Sequence, residues 1–335
     1  MSAPVIAIEY VSKGFVRRPG LAERAAGLLT GGARATAVQA LDDVSFAIAE
    51  REVVGLVGES GCGKSTLGRI VVNALPPTAG EVKFRGAALA TLDPAARREV
   101  ARKIQMVFQD PMASLNPRMR IGEIVGEAPR VHGIVEKREA GAYVDEMLAR
   151  VGLDPSLRNR YPHQLSGGQR ARVGIARALA MRPAFLVCDE PVAALDVSIQ
   201  AQVLNLLMRL RAELGLACLF ISHNLGVVEH IADRVVILYL GRVVEIAPAA
   251  ELFAAPNHPY TQALLANVPR LDTKKRRFAP LEGELPSPFA PPVGCHFHPR
   301  CPAAMDRCRH ERPALAEIAP GRLSACHLNA TSPLG

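Results

Sequence analysis

The stretch Gly58-Glu59-Ser60-Gly61-Cys62-Gly63-Lys64-Ser65-Thr66 constrains this chain more than any other. It follows an apolar run, Val53-Val54-Gly55-Leu56-Val57, and precedes a helical pattern that begins at Leu67. The pattern G-x-x-x-x-G-K-[ST] between a strand and a helix is what a phosphate-cradling loop requires. Glycines let backbone N–H groups turn inward around an anion, and the following helix presents its positive end to it. In such a loop Gly58, Ser60, Gly61, Cys62, Gly63 and Thr66 build the cradle. Lys64 reaches the β- and γ-phosphates, and the Ser65 hydroxyl is placed to ligate Mg²⁺. A Gly-rich turn that binds nothing is the bland alternative, and the flanking strand and helix weigh against it. The expectation is a site for a nucleoside triphosphate with Mg²⁺.

A second stretch narrows the chemistry. Leu165-Ser166-Gly167-Gly168-Gln169 is followed by a helical pattern over 170–181 and then by Phe185-Leu186-Val187-Cys188-Asp189-Glu190. The apolar run into Asp189 reads as a buried parallel strand that delivers a carboxylate to its C-terminal end. There Asp189 can hold Mg²⁺, directly or through water, and Glu190 is a candidate general base for an attacking water.

With these residues the chain resembles the ATP-binding subunits of ABC transporters, nearly end to end. The resemblance implies an α/β fold: a P-loop (RecA-like) ATPase core with an antiparallel β subdomain, a helical subdomain at about 111–164, and a small cysteine-rich C-terminal extension. It places the ATP-binding domain at 1–245 and the extension at 246–335. It also implies roles for residues that spacing alone does not pick out. Gln109 touches Mg²⁺ or water and senses the membrane subunits. Asp196, in Ala194-Leu195-Asp196, belongs to a loop that crosses a dimer interface. His223 is a catalytic residue that contacts the γ-phosphate, and Phe15 stacks on adenine. In this family two ATP-binding chains meet head to tail. The phosphate loop of one then faces Ser166, Gly167, Gly168 and Gln169 of the other, whose donors suit a γ-phosphate at a helix N-terminus. ATP and Mg²⁺ are the implied cofactors.

Composition bounds the partners. A chain of 335 residues has room for one large α/β domain and a smaller appendage. No stretch of eighteen or so apolar residues is present, so nothing is expected to span a bilayer. The N-terminus, Met1-Ser2-Ala3-Pro4-Val5, lacks the layout of a signal peptide. The expected place is therefore the cytoplasmic face of the cell membrane, beside two membrane-spanning permease subunits, a second and paralogous ATPase subunit, and an extracytoplasmic substrate-binding protein. The net charge of +8 is compatible with anionic headgroups or nucleic acid. The absence of Trp and an aromatic content of 4% argue against a stacking platform for single strands, and no nucleic-acid partner is expected. A soluble ATPase of the same class acting on ribosomes or DNA is the rival. Such proteins carry two ATP-binding domains or a long coiled-coil insertion, and this sequence has neither.

Further patterns fill in the frame. Val5-Ile6-Ala7-Ile8 and Val44-Ser45-Phe46-Ala47-Ile48 read as strands, and 67–75, 121–128 and 137–151 as helices. Ile199, Val203, Leu206, Leu207, Leu210 and Leu214 fall on one helical face and read as core. Val235-Val236-Ile237-Leu238-Tyr239-Leu240 reads as a buried strand with a hairpin return over 241–245. A Gly-, Ala- and Arg-rich segment at 17–36 interrupts the first strands.

The tail sets the chain apart. His258-Pro259-Tyr260-Thr261-Gln262-Ala263-Leu264-Leu265 and Pro111-Met112-Ala113-Ser114-Leu115-Asn116-Pro117-Arg118-Met119 resemble bacterial oligopeptide and dipeptide importer ATPases. That group carries di- and oligopeptides, with nickel or glutathione in some relatives. A basic run at 274–277 and a Pro-rich stretch at 280–292 read as solvated linker. Cys295, Cys301, Cys308 and Cys326 crowd the end of the chain, too close together to build a core alone. Disulfides are disfavoured in a cytosolic protein, so the thiols suggest a [4Fe–4S] cluster, a Cys₄ zinc site, or free thiols. The resemblance favours the cluster. His296, His298, His310 and His327 could substitute for one ligand, but each reads as an ordinary surface histidine. Cys62, Cys188 and Cys218 carry no chemistry beyond packing.

Overall fold

The computed structural model describes residues 3–17, 36–267 and 283–331. In chain order its strands are β1 (Ile6–Arg17), β2 (Thr36–Ile48), β3 (Val53–Val57), β4 (Ala79–Phe84), β5 (Ala87–Ala88), β6 (Ile104–Val107), β7 (Phe185–Asp189), β8 (Ala217–Ser222), β9 (Arg234–Tyr239), β10 (Arg242–Pro248), β11 (Ala316–Ala319) and β12 (Arg322–Ser324). They form two sheets. The smaller runs β2-β1-β4-β5 and is antiparallel. Its register sets Ile6 opposite Ile48 and Ile8 opposite Phe46, which turns alternate apolar residues to one buried face.

The larger sheet runs β11-β12-β10-β9-β3-β8-β7-β6. From β9 to β6 neighbouring strands are parallel. Every residue of β3, β7 and β8 is buried, because helices cover both faces of a parallel sheet, and this is why these segments read as unbroken apolar runs. The hairpin expected after β9 is present as the antiparallel pair β9–β10. The sheet then continues past residue 245: Glu245 and Ile246 of β10 pair with Ser324 and Leu323 of β12.

Helices form where apolar residues recur at helical spacing. Lys64–Val71 follows the phosphate loop and buries Leu67, Ile70 and Val71. Ile121–Val131 and Ala140–Arg150 pack on each other and on Gly167–Leu179. The Tyr143 hydroxyl, buried at that contact, donates to the Ala180 carbonyl at 2.7 Å. Along Val197–Leu214 the core stripe is Val203, Leu206, Leu207 and Leu210. Ile199 is only partly buried and Leu214 is 41% exposed, because the helix ends there at Gly215 in the left-handed conformation. Among the described residues no helix is long and apolar enough to cross a membrane. Most of the segment at 17–36 and the basic run at 274–277 lie outside the described residues, as does the start of the Pro-rich stretch.

Candidate nucleotide site

The carboxyl ends of the central strands gather the chemistry, which is where a parallel α/β sheet binds its ligands. β3 runs into the phosphate loop. Gly63 takes φ 108° and closes the loop onto the helix Lys64–Val71, and an added Cβ there would stand 2.3 Å from the Ala40 carbonyl oxygen. Lys64 is 5% exposed and its Nζ donates to the carbonyls of Gly58 at 2.7 Å and Glu59 at 2.9 Å. A buried ammonium held on two carbonyls at the mouth of the loop is poised for a polyanion. Ser60, Gly61, Gly63, Lys64, Ser65 and Thr66 line a cleft of about 290 Å³ together with Ala40, Gln109 and Glu190. Gly58 and Cys62 do not line it. Larger cavities of about 540 and 570 Å³ lie elsewhere and hold no comparable set of groups.

Three strand ends supply the groups that face the loop. β7 ends in Asp189, which is 4% exposed and accepts a hydrogen bond from the Ser65 hydroxyl at 2.9 Å. Burial pushes the Asp189 carboxyl above the usual carboxylate range, the Ser65 bond works against this, and the nearby Glu190 charge adds to it. A cation beside Asp189 would offset that cost. A serine hydroxyl and a buried carboxylate are hard oxygen donors, and Mg²⁺ takes few protein ligands, so this pair fits the metal. Glu190 follows with φ 45°, an uncommon value for a residue with a side chain. Its N–H donates to the Ile221 carbonyl at 3.0 Å. Gln109, two residues beyond β6, donates through Nε2 to Glu190 Oε2 at 3.0 Å. His223, directly after β8, sets Nδ1 3.1 Å from Glu190 Oε1. The carboxylate is thus held between two polar neighbours, its side chain 13% exposed and that of His223 56% exposed.

Asp189 and His223 stand behind the cleft lining, in contact with Ser65 and Glu190, and the remaining expected site residues do not line the cleft either. Ser166 caps the helix Gly167–Leu179 by accepting from the Gln169 N–H, and Gln169 Oε1 accepts from the Ser166 N–H in return. Ser166 is exposed, so its hydroxyl and the helix N-terminus face outward. Gly167 and Gly168 abut Leu195 and Ile199, which places this turn beside Asp196, the exposed cap of Val197–Leu214. Phe15 stands half-exposed on β1 with Lys13 Nζ 5.3 Å from its ring centroid, away from the cleft lining.

The C-terminal thiols meet the metal question differently. Burial pushes the Cys295 thiol up to about 11; the Phe297 N–H opposes this, and the charges of Cys308, Cys326 and Cys301 add to it. Burial also raises Cys301 and Cys326. The charges of Cys301, Cys308 and Cys326 thus all reach the Cys295 thiol. Yet among the described residues no group of three or more His, Cys, Asp or Glu side chains is gathered to hold a metal ion. Neither a four-ligand zinc site nor a cluster site is therefore gathered among these thiols. His296 and His327, expected at the surface, are both buried. Burial holds His296 down at about 4, and its Nδ1 lies 3.2 Å from the Leu240 carbonyl.

Two contacts to the loop were not foreseen. Tyr260 and Arg300, both from the extension, bind Glu59. Tyr260 stands in a motif that marks the extension, and neither residue carries any local sign of a partner two hundred positions away.

Comparison with known proteins agrees with this geometry. A family model described as ABC transporter matches residues 41–193, and one described as oligopeptide/dipeptide transporter, C-terminal region, matches residues 244–308. The oligopeptide transport ATP-binding protein AppF of Bacillus subtilis (strain 168) is 48% identical over 328 residues, 97% of either chain. YkfD of the same organism is 53% identical over 296 residues, 87% of this chain and 90% of its own length. Among solved structures, the ATP-binding cassette MJ0796, dimeric and bound to ADP and Pi after hydrolysis, aligns with a TM-score of 0.61. It is 30% identical and covers 73% of this chain and 98% of its own. The chain belongs to the ATP-binding subunits of ABC transporters, in the group that bears the oligopeptide/dipeptide transporter C-terminal region.

Proposed function

We propose that this subunit hydrolyses ATP at the cytoplasmic face of the cell membrane to power an importer of di- or oligopeptides. In this reading Lys64 and the loop N–H groups bind the triphosphate, and Ser65 and Asp189 hold Mg²⁺, which neutralises phosphate charge. Glu190 accepts the proton of the attacking water, while Gln109 and His223 fix its carboxylate and orient the water and the γ-phosphate. Ser166, Gly167, Gly168 and Gln169 serve a second, paralogous ATPase chain, with Asp196 beside them at the shared interface. Phe15 stacks on the adenine. The observation that carries the reading is the Glu190 carboxylate held between Gln109 and His223 at the mouth of the phosphate loop. The peptide cargo follows from the kinship with AppF and the C-terminal family region.

The test is purification of the tagged full chain from membranes in mild detergent. Recovery of two membrane-spanning subunits, and ATP hydrolysis that rises when a peptide-loaded binding protein is added, is the expected result. Recovery with ribosomes or DNA instead would sink the proposal.

The finer reading of the extension is that Cys295, Cys301, Cys308 and Cys326 take up a [4Fe–4S] cluster. Its support is the sequence: four cysteines set close together in the C-terminal extension, while among the described residues they are not gathered as a ready-made metal site. Anaerobic purification should yield about four irons and four acid-labile sulfides per chain. A metal-free chain under those conditions would leave the thiols as packing.

A further inference from the structure

Glu59, the second residue of the phosphate loop, is fixed from behind by the C-terminal extension. The two terminal nitrogens of Arg300 donate to its carboxylate at 2.8 and 3.1 Å. The Arg300 side chain is 5% exposed, so this ion pair is shielded from solvent on the arginine side. The Tyr260 hydroxyl accepts the Glu59 backbone N–H at 3.0 Å. Tyr260 is fully buried, with its ring centroid 4.6 Å from that of Tyr239 and 5.4 Å from that of Phe297. Arg300 also lies 3.5 Å from the Tyr239 hydroxyl, which ties the guanidinium to the same aromatic group. On its other side the Glu59 carbonyl accepts from Lys64 Nζ. One residue therefore links the extension to the lysine of the phosphate loop through its side chain, its N–H and its carbonyl.

A phosphate-binding loop works through backbone dipoles set in place beforehand, and each freedom left to it weakens binding. A two-point arginine–carboxylate pair fixes a plane as well as a distance. The Tyr260 hydroxyl holds the Glu59 N–H on the buried side and so fixes where the loop begins. We propose that Arg300 and Tyr260 are positioning residues for the phosphate loop, so that the C-terminal extension sets the affinity of the site for MgATP. The inference rests on the reading above that this loop binds MgATP.

The test uses the full chain and its assembled complex, with MgATP as the probe. Binding is measured by calorimetry, and KM and kcat by phosphate release, for Tyr260→Phe, Arg300→Gln, Glu59→Gln and the double variant of Glu59 and Arg300. Each single change should raise Kd and KM about three- to tenfold, the worth of one hydrogen-bonded contact. The turnover number at saturating MgATP should stay within about twofold. The double variant should be no weaker than the worse single one, since both remove the same pair. A merely structural role would lower the melting temperature without this split between KM and kcat. Tyr260→Phe retains the buried ring and Glu59→Gln alters the more exposed partner, so both report even if Arg300→Gln fails to fold. Unchanged Kd and KM in these two variants, beside a wild-type chain that binds MgATP, would overturn the inference alone. A folded wild-type chain that binds no MgATP would overturn the reading of the loop itself.

Discussion

Replacing Glu190 with glutamine should leave MgATP bound and stop its hydrolysis. The amide matches the carboxylate in shape and can still accept the hydrogen bond from Gln109, now at 3.0 Å, and meet His223, now at 3.1 Å. The cleft therefore keeps its form. What is lost is a group able to take a proton from water, a loss worth roughly 10²- to 10⁴-fold in rate. Asp189 cannot substitute. It is buried and its carboxylate is tied to the Ser65 hydroxyl at 2.9 Å, which directs it to the cation rather than to an attacking water. A second consequence follows from the outward-facing Ser166 turn. If the uncleaved γ-phosphate bridges two chains, Glu190→Gln should accumulate an ATP-dependent dimer, visible by light scattering. Near-normal phosphate release in the assembled complex would remove Glu190 from the role of base.

Gly63→Ala should cost MgATP binding at least about a hundredfold and lower the melting temperature by several degrees, from backbone strain and overpacking together. The residue sits at φ 108°, where an L side chain is strained, and its Cβ would stand 2.3 Å from the Ala40 carbonyl and 2.8 Å from Leu41. Ala40 lies in β2 between Gln39 and Leu41, both paired with β1, and the strand is anchored beside it by the Asp42 N–H to the Gly241 carbonyl at 2.9 Å. It cannot step aside cheaply, so the loop must. Gly61→Ala is the internal comparison. Gly61 also has positive φ, 80°, but nothing lies within 4 Å of its added Cβ, so only the strain remains. Titration calorimetry and thermal melts on both variants should rank Gly63→Ala well below Gly61→Ala. Equal losses would refute the steric account.

How much of the site could be read beforehand depended on how local its causes are. The phosphate loop, Asp189 and Glu190 were legible because strand, turn and charged residue lie within a few positions of one another. Gln109 and His223 came only through family resemblance. What unites them is the strand order β3-β8-β7-β6, which sets the ends of segments far apart in sequence side by side. The grip of Tyr260 and Arg300 on Glu59 was not legible, since it spans 201 and 241 positions. Histidines misled in another way. His296 and His327 look like surface residues among prolines and arginines, but each is buried and sets a ring nitrogen near a backbone carbonyl, at 3.2 and 2.9 Å. Leu214 fitted the apolar stripe by spacing, and the helix ran out beneath it.

The pairing of β12 with β10 bears on how the domain keeps to itself. Without residues beyond Ile246, β10 would be the rim of the main sheet, with a row of N–H and C=O groups open to any passing strand. Such rims recruit other chains and seed aggregates. The buried Glu245 carboxylate would also lose the N–H groups of Asn257 and His258, each now at 2.9 Å. A shortened ATPase cut at that point would thus carry a sticky flank and an unmatched buried charge. The extension serves the fold as a hem that keeps the main sheet from fraying into its neighbours.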